Sequence, residues 1–218
     1  MIAKHTSDIF DHKTGNTKQL NSKEKDKSSS IVQLAQPLYT NQNIINGLKQ
    51  GQADAASEFI LRFGKKINCL VWRFLGTDQE HDDVVQQVLV NILNSIRKLK
   101  NEKSLEAWVV RVTINTVRKE IRTRKRRRLD YCLPEQLDRI GSAQSPDQRI
   151  MLRFYNIVEQ MKTEDRIVFI LHELEGYGLV EISLVIKCSL ATIKRRLLRA
   201  RNYFATAAQQ DTLLSDFV

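Results

Sequence analysis

The chain has 218 residues, of which 42% are hydrophobic and only 8 are glycine and 3 proline. This composition supports packed cores and argues against a turn-rich β-sandwich or barrel, so we predict an all-α fold. The formal net charge of +10 favours a polyanionic partner, either a nucleic acid or an anionic membrane surface. No stretch is apolar enough to span a bilayer and the N-terminus lacks the features of a secretory signal, which predicts a cytoplasmic protein without membrane insertion. The three widely spaced cysteines, Cys69, Cys132 and Cys188, suit a reducing compartment.

Two polar stretches divide the chain. The first, rich in Lys, Ser, Asn and Gln, has the composition of a disordered segment. The second contains Pro134, Gly141 and Pro146, as linkers often do. The expected organisation is a disordered tail at 1–41, a helical domain at 42–128, a flexible linker at 129–146, a second helical domain at 147–209 and a C-terminal tail at 210–218.

In the first domain, a short helix around Ile44 to Lys49 is expected before a longer one that ends at Gly76, a glycine C-cap. Apolar residues at three- and four-residue steps form the buried face of the longer helix: Ala56, Phe59, Phe63, Ile67, Leu70 and Phe74. Thr77 or Asp78 is predicted to cap a third helix, whose buried residues are Val85, Val88, Ile92, Ile96 and Leu99. Ser104 is predicted to cap a fourth, with Leu105, Trp108 and Val112 directed inward.

The second domain has the pattern of a helix-turn-helix. One helix is predicted to bury Met151, Phe154, Tyr155, Val158 and Met161, and the next to start at Thr163 and bury Ile167, Ile170, Leu171 and Leu174 before Gly176. A short helix with Ile182 and Val185 buried should follow. After a turn at Lys187 and Cys188, Ser189 is predicted to cap a last helix with Leu190, Ile193, Leu197, Ala200 and Phe204 inward.

The last helix is predicted to carry a basic face opposite its buried residues. This face comprises Thr192, Lys194, Arg195, Arg196 and Arg199. Arginines on a helix that enters the major groove can donate to two guanine acceptors or bind phosphate. Cations are common near helix C-termini, but this cluster begins in the first turns, so we expect DNA contact.

A second basic face is predicted on the helix after Ser104. Arg111, Asn115, Arg118, Arg122 and Lys125 are spaced to share one side of a helix. Trp108, one turn earlier, would add an aromatic surface beside the cations, as binding of single-stranded DNA requires. A nuclear-localisation or nonspecific RNA-binding patch is the alternative interpretation.

The third helix of the first domain is different, because its outer face has a carboxylate and amides but few cations. Asp83, Gln86, Gln87, Val90 and Asn94 lie on this face, with Asp82 beside it. The two carboxylates would repel DNA, which favours a protein partner or an ordinary solvated surface.

Catalysis has little support in the sequence. There is no glycine-rich phosphate loop and no metal-ligand spacing, and the four histidines, His5, His12, His81 and His172, are far apart in sequence. We therefore expect no enzyme activity, no catalytic or metal site and no cofactor.

These three surfaces, in this order, resemble the extracytoplasmic-function group of sigma-70 family RNA polymerase sigma factors. HDDVVQQVLVNIL (81–93) looks like region 2.2, which binds polymerase, and SLEAWVVRVTINTVRKEIRTRKRR (104–127) looks like regions 2.3 and 2.4, which melt and read the −10 element. DRIVFILHELEGYGLVEISLVIKCSLATIKRRLLRAR (165–201) is similar to region 4, which reads the −35 element.

The resemblance implies three sets of binding residues. Those for polymerase are Asp82, Asp83, Gln86, Gln87 and Val90; those for the −10 element are Trp108, Arg111, Asn115, Arg118, Arg122 and Lys125; those for the −35 element are Thr192, Lys194, Arg195, Arg196 and Arg199. The loop from Lys98 to Ser104 lies where the family holds a flipped base. The implied partners are promoter DNA, an anti-sigma factor and core RNA polymerase, through the clamp helices of its largest subunit and the flap of its second-largest subunit.

The chain departs from the family pattern at several of these positions. Gln87 stands where the family usually has Glu, and Arg195 stands where it frequently has Ser, so the polymerase contact and the preferred −35 sequence are expected to differ from those of relatives. Lys162 and Ala191 replace a common Pro and Gly. Two other functions stay open on the sequence, a stand-alone helix-turn-helix regulator and an RNA-binding protein.

Overall fold

The computed structural model describes residues 40–76, 80–99, 104–131 and 146–215. These residues form eight α-helices and no strand, which confirms the predicted all-α fold. The helices are α1 (Asn41–Gln50), α2 (Ala53–Leu75), α3 (His81–Ser95), α4 (Leu105–Tyr131), α5 (Pro146–Gln160), α6 (Thr163–Phe169), α7 (Leu179–Ile186) and α8 (Leu190–Gln209). The tail before Thr40, linker residues 132–145, and Thr77 and Asp78 lie outside the described residues. No described helix is long and apolar enough to cross a membrane.

In the first helical unit, α1 to α4, residues with capping ability mark the start of α1 and the end of α2. The Thr40 hydroxyl accepts a hydrogen bond from the Asn43 amide at 3.2 Å and so caps α1. As predicted, α2 ends at Gly76, which takes the left-handed conformation (φ 68°) and donates its amide to the Trp72 carbonyl at 2.8 Å. The buried residues of α2 include Phe59, Phe63, Ile67, Leu70 and Phe74, as their spacing predicted.

The start of α3 differs from the prediction. The helix begins at His81 and its N-cap is Glu80, not Thr77 or Asp78. His81 is buried and stacks on Trp72 with ring centroids 4.6 Å apart, and Glu80 directly before it takes the left-handed conformation (φ 61°). Val84, Val88 and Ile92 are buried, whereas Val85, which was expected in the core, is partly buried and packs against it.

The second unit, α5 to α8, contains the predicted helix-turn-helix. After α6, residues Ile170–Leu174 form a π-helical turn that leads to Gly176. Between α7 and α8, Lys187 takes the left-handed conformation (φ 59°), and the Ser189 hydroxyl accepts the Thr192 amide at 3.2 Å as the N-cap of α8. Most predicted core residues are buried, but Leu190 is 37% exposed, because the inward face of α8 starts one turn later at Ile193.

The two units pack against each other. The guanidinium of Arg73 in α2 donates to the Leu174 carbonyl at 2.9 Å and to the Glu175 carboxylate at 2.7 Å. That of Arg166 in α6 is buried and donates to the Phe74 carbonyl. A single cluster of buried apolar side chains runs through both units. The C-terminal end of α2 therefore packs directly against the second unit and bonds to it through Arg73 and Arg166.

Candidate nucleic-acid interface

The basic face of α8 consists of two kinds of cation. Lys194 and Arg195 are exposed and form no ion pair with any other described residue. Arg196 and Arg199 instead bind carboxylates of α6, the helix that supports α8. The two free cations are available to an external anion, whereas the other two are already oriented by the protein.

Two adjacent acidic residues of α6, Glu164 and Asp165, make these bonds. Asp165 is buried and accepts two hydrogen bonds from Arg199, from Nε at 3.0 Å and from Nη2 at 2.7 Å. These hydrogen bonds raise the pKa of Arg199, a residue that is charged in any case. The Glu164 carboxylate lies 3.3 Å from Nη1 of Arg196, which also approaches the Cys188 sulfur at 3.6 Å.

The second basic face lies along α4. Most of the predicted residues line an open groove there: Asn115, Arg118, Arg122 and Lys125, together with Lys119 and Arg126. Arg118 donates to the Asn115 side-chain oxygen at 2.9 Å, which holds these two residues together. The structure thus brings together four of the six residues predicted for the −10 element.

The other two residues of this set, Trp108 and Arg111, lie apart from the groove. Arg111 donates to backbone carbonyls of α7, from Nε to Val185 at 2.9 Å and from Nη2 to Leu184 at 3.2 Å. Trp108 is half-buried and packs against the core. Arg111 thus binds carbonyls at the C-terminal end of α7, where the helix dipole favours a cation. Only part of the Trp108 indole is open to solvent.

Glu164 links the two basic faces. Besides Arg196 of α8, its carboxylate binds Nε of Arg118 at 3.1 Å and Nη2 of Arg122 at 2.9 Å, both in α4. One carboxylate therefore neutralises cations of both faces. Sequence reasoning missed Glu164 and Asp165, and the only signal for them was a pair of acids in the first turn of a predicted helix, which usually reflects the helix dipole.

The outer face of α3 carries the acidic and amide residues predicted from the sequence. Asp82, Asp83, Gln86 and Gln87 are exposed, and the Gln87 amide donates to the Asn91 side chain at 3.1 Å. Two apolar side chains accompany them, since Val90 is 47% exposed and Leu93 50%. A surface with amides, carboxylates and exposed aliphatic groups suits a protein partner better than it suits DNA.

Comparison with known proteins relates both units to one family. Residues 59–127 match the model of sigma-70 region 2, and residues 151–203 match a model of sigma-70 region 4. The chain is 25% identical over 182 residues to the RNA polymerase sigma-H factor of Pseudomonas aeruginosa, covering 78% of this chain and 94% of that one. It is 22% identical over 174 residues to the ECF RNA polymerase sigma-E factor of Escherichia coli K12, covering 74% of this chain and 91% of that one.

Solved structures share the fold. CnrH, in complex with the cytosolic domain of CnrY, superimposes with a TM-score of 0.57 at 19% identity, covering 79% of this chain and 99% of that one. RpoE of Bartonella quintana, in complex with the anti-sigma factor NepR, gives a TM-score of 0.54 at 19% identity, covering 71% of this chain and 97% of that one. The two family models together match more than half of the chain, in the family's order, and the chain belongs to the sigma-70 family of RNA polymerase sigma factors, with relatives in its extracytoplasmic-function group.

Proposed function

We propose that this sigma factor binds core RNA polymerase through the outer face of α3, and recognises the −10 element through α4 and the −35 element through α8. The observation that carries the proposal is the presence of two separate basic helical faces and one cation-poor face on a chain that matches regions 2 and 4. A stand-alone regulator would need a different first unit, and residues 59–127 match region 2 instead.

The face on α3 supports binding to the clamp helices of the largest polymerase subunit. Asp82, Asp83, Gln86 and Gln87 offer acceptors and donors, and the half-exposed Val90 offers apolar area to bury. Interfaces commonly combine a small apolar centre with a polar rim. Gln87, an amide where relatives have a carboxylate, removes one charge from this contact.

The groove on α4 supports binding to the −10 element. Asn115, Arg118, Arg122 and Lys125 supply amide and cationic donors along one side of the helix. Arg111 and Trp108 lie earlier on α4, outside the groove, and join this contact when Arg111 leaves its carbonyl partners on α7. Cations hold the phosphate backbone, and an unstacked base resting on an indole gains ~1 to 3 kcal/mol. Binding would require Arg111, Arg118 and Arg122 to exchange their present carbonyl and carboxylate partners for DNA.

The face on α8 supports binding to the −35 duplex, with the second unit also meeting the flap of the second-largest subunit. Thr192, Lys194 and Arg195 lie in the first turns of α8, the part of a recognition helix that contacts base edges. Arg196 follows directly, and Arg199 lies one turn after Arg195. Linking the two DNA-binding units in one chain raises their effective concentration, so modest affinities sum to a specific complex.

The remaining assignments belong to the same proposal. The functional units are 42–128 and 147–209, joined by a linker at 129–146, with tails at 1–41 and 210–218. The protein acts in the cytoplasm by binding and not as an enzyme. Because RpoE of Bartonella quintana was solved with an anti-sigma factor, we also propose an anti-sigma partner for this chain.

Initiation with purified components tests the proposal. The full chain is added to bacterial core polymerase, its co-elution with core is measured, and transcripts are sequenced from a promoter library randomised at both elements. We expect a complex with core and start sites that depend on two enriched sequence blocks. A chain that neither binds core nor selects start sites would overturn the proposed function.

A further inference from the structure

The bond between Asp165 and Arg199 joins the supporting helix α6 to the proposed DNA-reading helix α8. It uses both oxygens of the carboxylate and two donors of the guanidinium, at 3.0 and 2.7 Å. Asp165 is 6% exposed, whereas the side chain of Arg199 is 46% exposed. The carboxylate is thus fixed inside the protein, and the arginine extends from it to the surface.

This geometry leaves part of the guanidinium free for DNA. A guanidinium has five N–H donors in a rigid plane, and Asp165 occupies one edge of that plane. The remaining three donors have no hydrogen-bond partner among the described residues, and the side chain is about half exposed. The two hydrogen bonds to Asp165 can form at the same time in only one orientation of the guanidinium plane. Arg199 is therefore already ordered, and it loses little rotational freedom when it binds an anion.

The neighbouring cations do not share this arrangement. Arg195 and Lys194 form no ion pair with other described residues, and the bonds of Arg196 are directed to Glu164 and Cys188 at the junction between the units. Arg199 is therefore a cation of α8 that is both oriented by a buried carboxylate and open to solvent.

We propose that Asp165 is a positioning residue for −35 recognition, which holds the Arg199 guanidinium in the orientation that DNA requires. The inference deepens the proposed function and rests on it. Asp165 does not touch DNA; it acts through Arg199. Exchange of its carboxylate for an amide keeps its size but sets an N–H donor against the guanidinium, which breaks the two-bond contact.

The test uses the full chain in holoenzyme and two promoters that share a −10 element, one with the selected −35 element and one without it. The ratio of their initiation rates is the −35 gain. Asp165→Asn and Arg199→Ala should each lower this gain, by roughly fivefold or more if a bidentate base contact is lost. For Asp165→Asn, which alters a side chain that does not touch DNA, initiation from the promoter that lacks the −35 element should stay at the wild-type level.

A merely structural role predicts different results. Loss of folding would lower initiation from both promoters alike, whereas lost positioning lowers only the −35 gain. Adding Asp165→Asn to Arg199→Ala should have no further effect on the gain. The matched control is Glu173→Gln, which breaks a 2.7 Å ion pair between the π-helical turn after α6 and Arg201 of α8, and it should leave the gain unchanged.

The inference is wrong if Asp165→Asn keeps the wild-type −35 gain, lowers both promoters equally, or lowers the gain further in the Arg199→Ala background. It is also wrong if Arg199→Ala keeps the gain. Failure of the proposed function is recognised separately, because wild-type holoenzyme would then show no promoter-specific initiation with any −35 sequence.

Discussion

At the scale of single residues, Gly76 at the end of α2 lies against the second unit. The periodicity before it predicted a glycine C-cap, and its left-handed backbone (φ 68°) confirms this. Tyr155, in the second unit, packs directly on Gly76, a contact that the sequence pattern does not predict. A Cβ added at Gly76 would lie 2.3 Å from Cδ1 of Tyr155, so the position excludes side chains for two independent reasons.

Replacement of Gly76 by alanine should therefore destabilise the protein more than the same change at Gly51. Both glycines have left-handed backbones, φ 68° and 73°, so both variants bear the conformational cost of about 1 kcal/mol. Nothing lies within 4 Å of a Cβ at Gly51, so only Gly76→Ala displaces a neighbour. Equal losses in denaturant unfolding would contradict the Tyr155 contact.

The arginines of α8 illustrate a second limit at this scale. Helical spacing grouped Arg195, Arg196 and Arg199 on one face, and all three lie on α8 as expected. The partners of Arg196 and Arg199 come from α6, some thirty residues earlier, and spacing within α8 carries no information about them. The free Arg195 is consequently the residue whose replacement should affect DNA selection with least effect on folding.

Arg195→Ser should change the preferred −35 sequence, because it removes an exposed cation that no described carboxylate holds. Each lost bidentate contact reduces base discrimination by ~1 to 3 kcal/mol. Selection from a randomised −35 library in holoenzyme measures the change. Arg97→Ser, which removes an exposed arginine outside α8, serves as control, and identical preferences for all three proteins would refute the role of Arg195.

At the scale of helices, the sequence predicted which segments are helical and most of their buried faces. The errors arise where tertiary contacts set the boundary. The helix α3 starts at His81, whose ring stacks on Trp72, later than predicted, and Val84 is buried while Val85 is partly buried. Leu190 was expected in the core because it follows the cap of α8, yet the first turn of that helix lies beyond the packed surface.

The outer face of α3 leads to a prediction about polymerase binding. Asp83→Ala combined with Gln86→Ala should weaken binding to core polymerase, since both side chains are exposed on the proposed contact face. Titration of labelled chain with core measures the affinity. Binding of the variant to −35 duplex should be unaffected, because that contact uses α8.

A matched control is available on the preceding helices. Asp54→Ala with Gln50→Ala also removes an exposed carboxylate and an exposed amide, and Asp54, like Asp83, lies in the first turn of its helix. We expect wild-type affinity for core from this control. If both double variants weaken binding to core polymerase to the same extent, the proposal that the α3 face is the specific contact is wrong.

At the scale of the whole molecule, the sequence predicted two units of helices but not their contact. Arg73, Arg166 and Tyr155 join the units, and all three looked like ordinary members of helical patterns. Contacts between residues about ninety positions apart leave no periodic signal. The predicted linker, whose residues 132–145 lie outside the described part, gave no reason to expect a shared core either.

The junction predicts alkaline sensitivity. Burial raises the pKa of the Tyr155 hydroxyl well above its ordinary value of 10.0, although the charges of Arg166 and Arg73 oppose the shift. The folded state therefore keeps this proton when the unfolded state loses it, and stability must fall as pH rises past the ordinary pKa. Burial also raises the pKa of Tyr177, against the effect of Lys66.

The thermal midpoint should accordingly fall between about pH 9 and about pH 11, on either side of the ordinary tyrosine pKa. Tyr155→Phe should reduce the size of this fall, since it removes the buried ionisable group. The control Tyr203→Phe should leave the size of the fall unchanged, because Tyr203 is 40% exposed. If the thermal midpoint falls as much at alkaline pH in Tyr155→Phe as in wild type, Tyr155 does not cause the loss of stability.

The central claim is that one chain reads two promoter elements, through α4 and α8, while bound to polymerase. Site-specific photocrosslinking tests it most directly, with a photoreactive amino acid placed at Asn115 in one protein and at Lys194 in another, both exposed. In holoenzyme on promoter DNA, we predict crosslinks from position 115 at the −10 element and from position 194 at the −35 element. Crosslinks from both positions to the same element, or from neither to promoter DNA, would contradict the account.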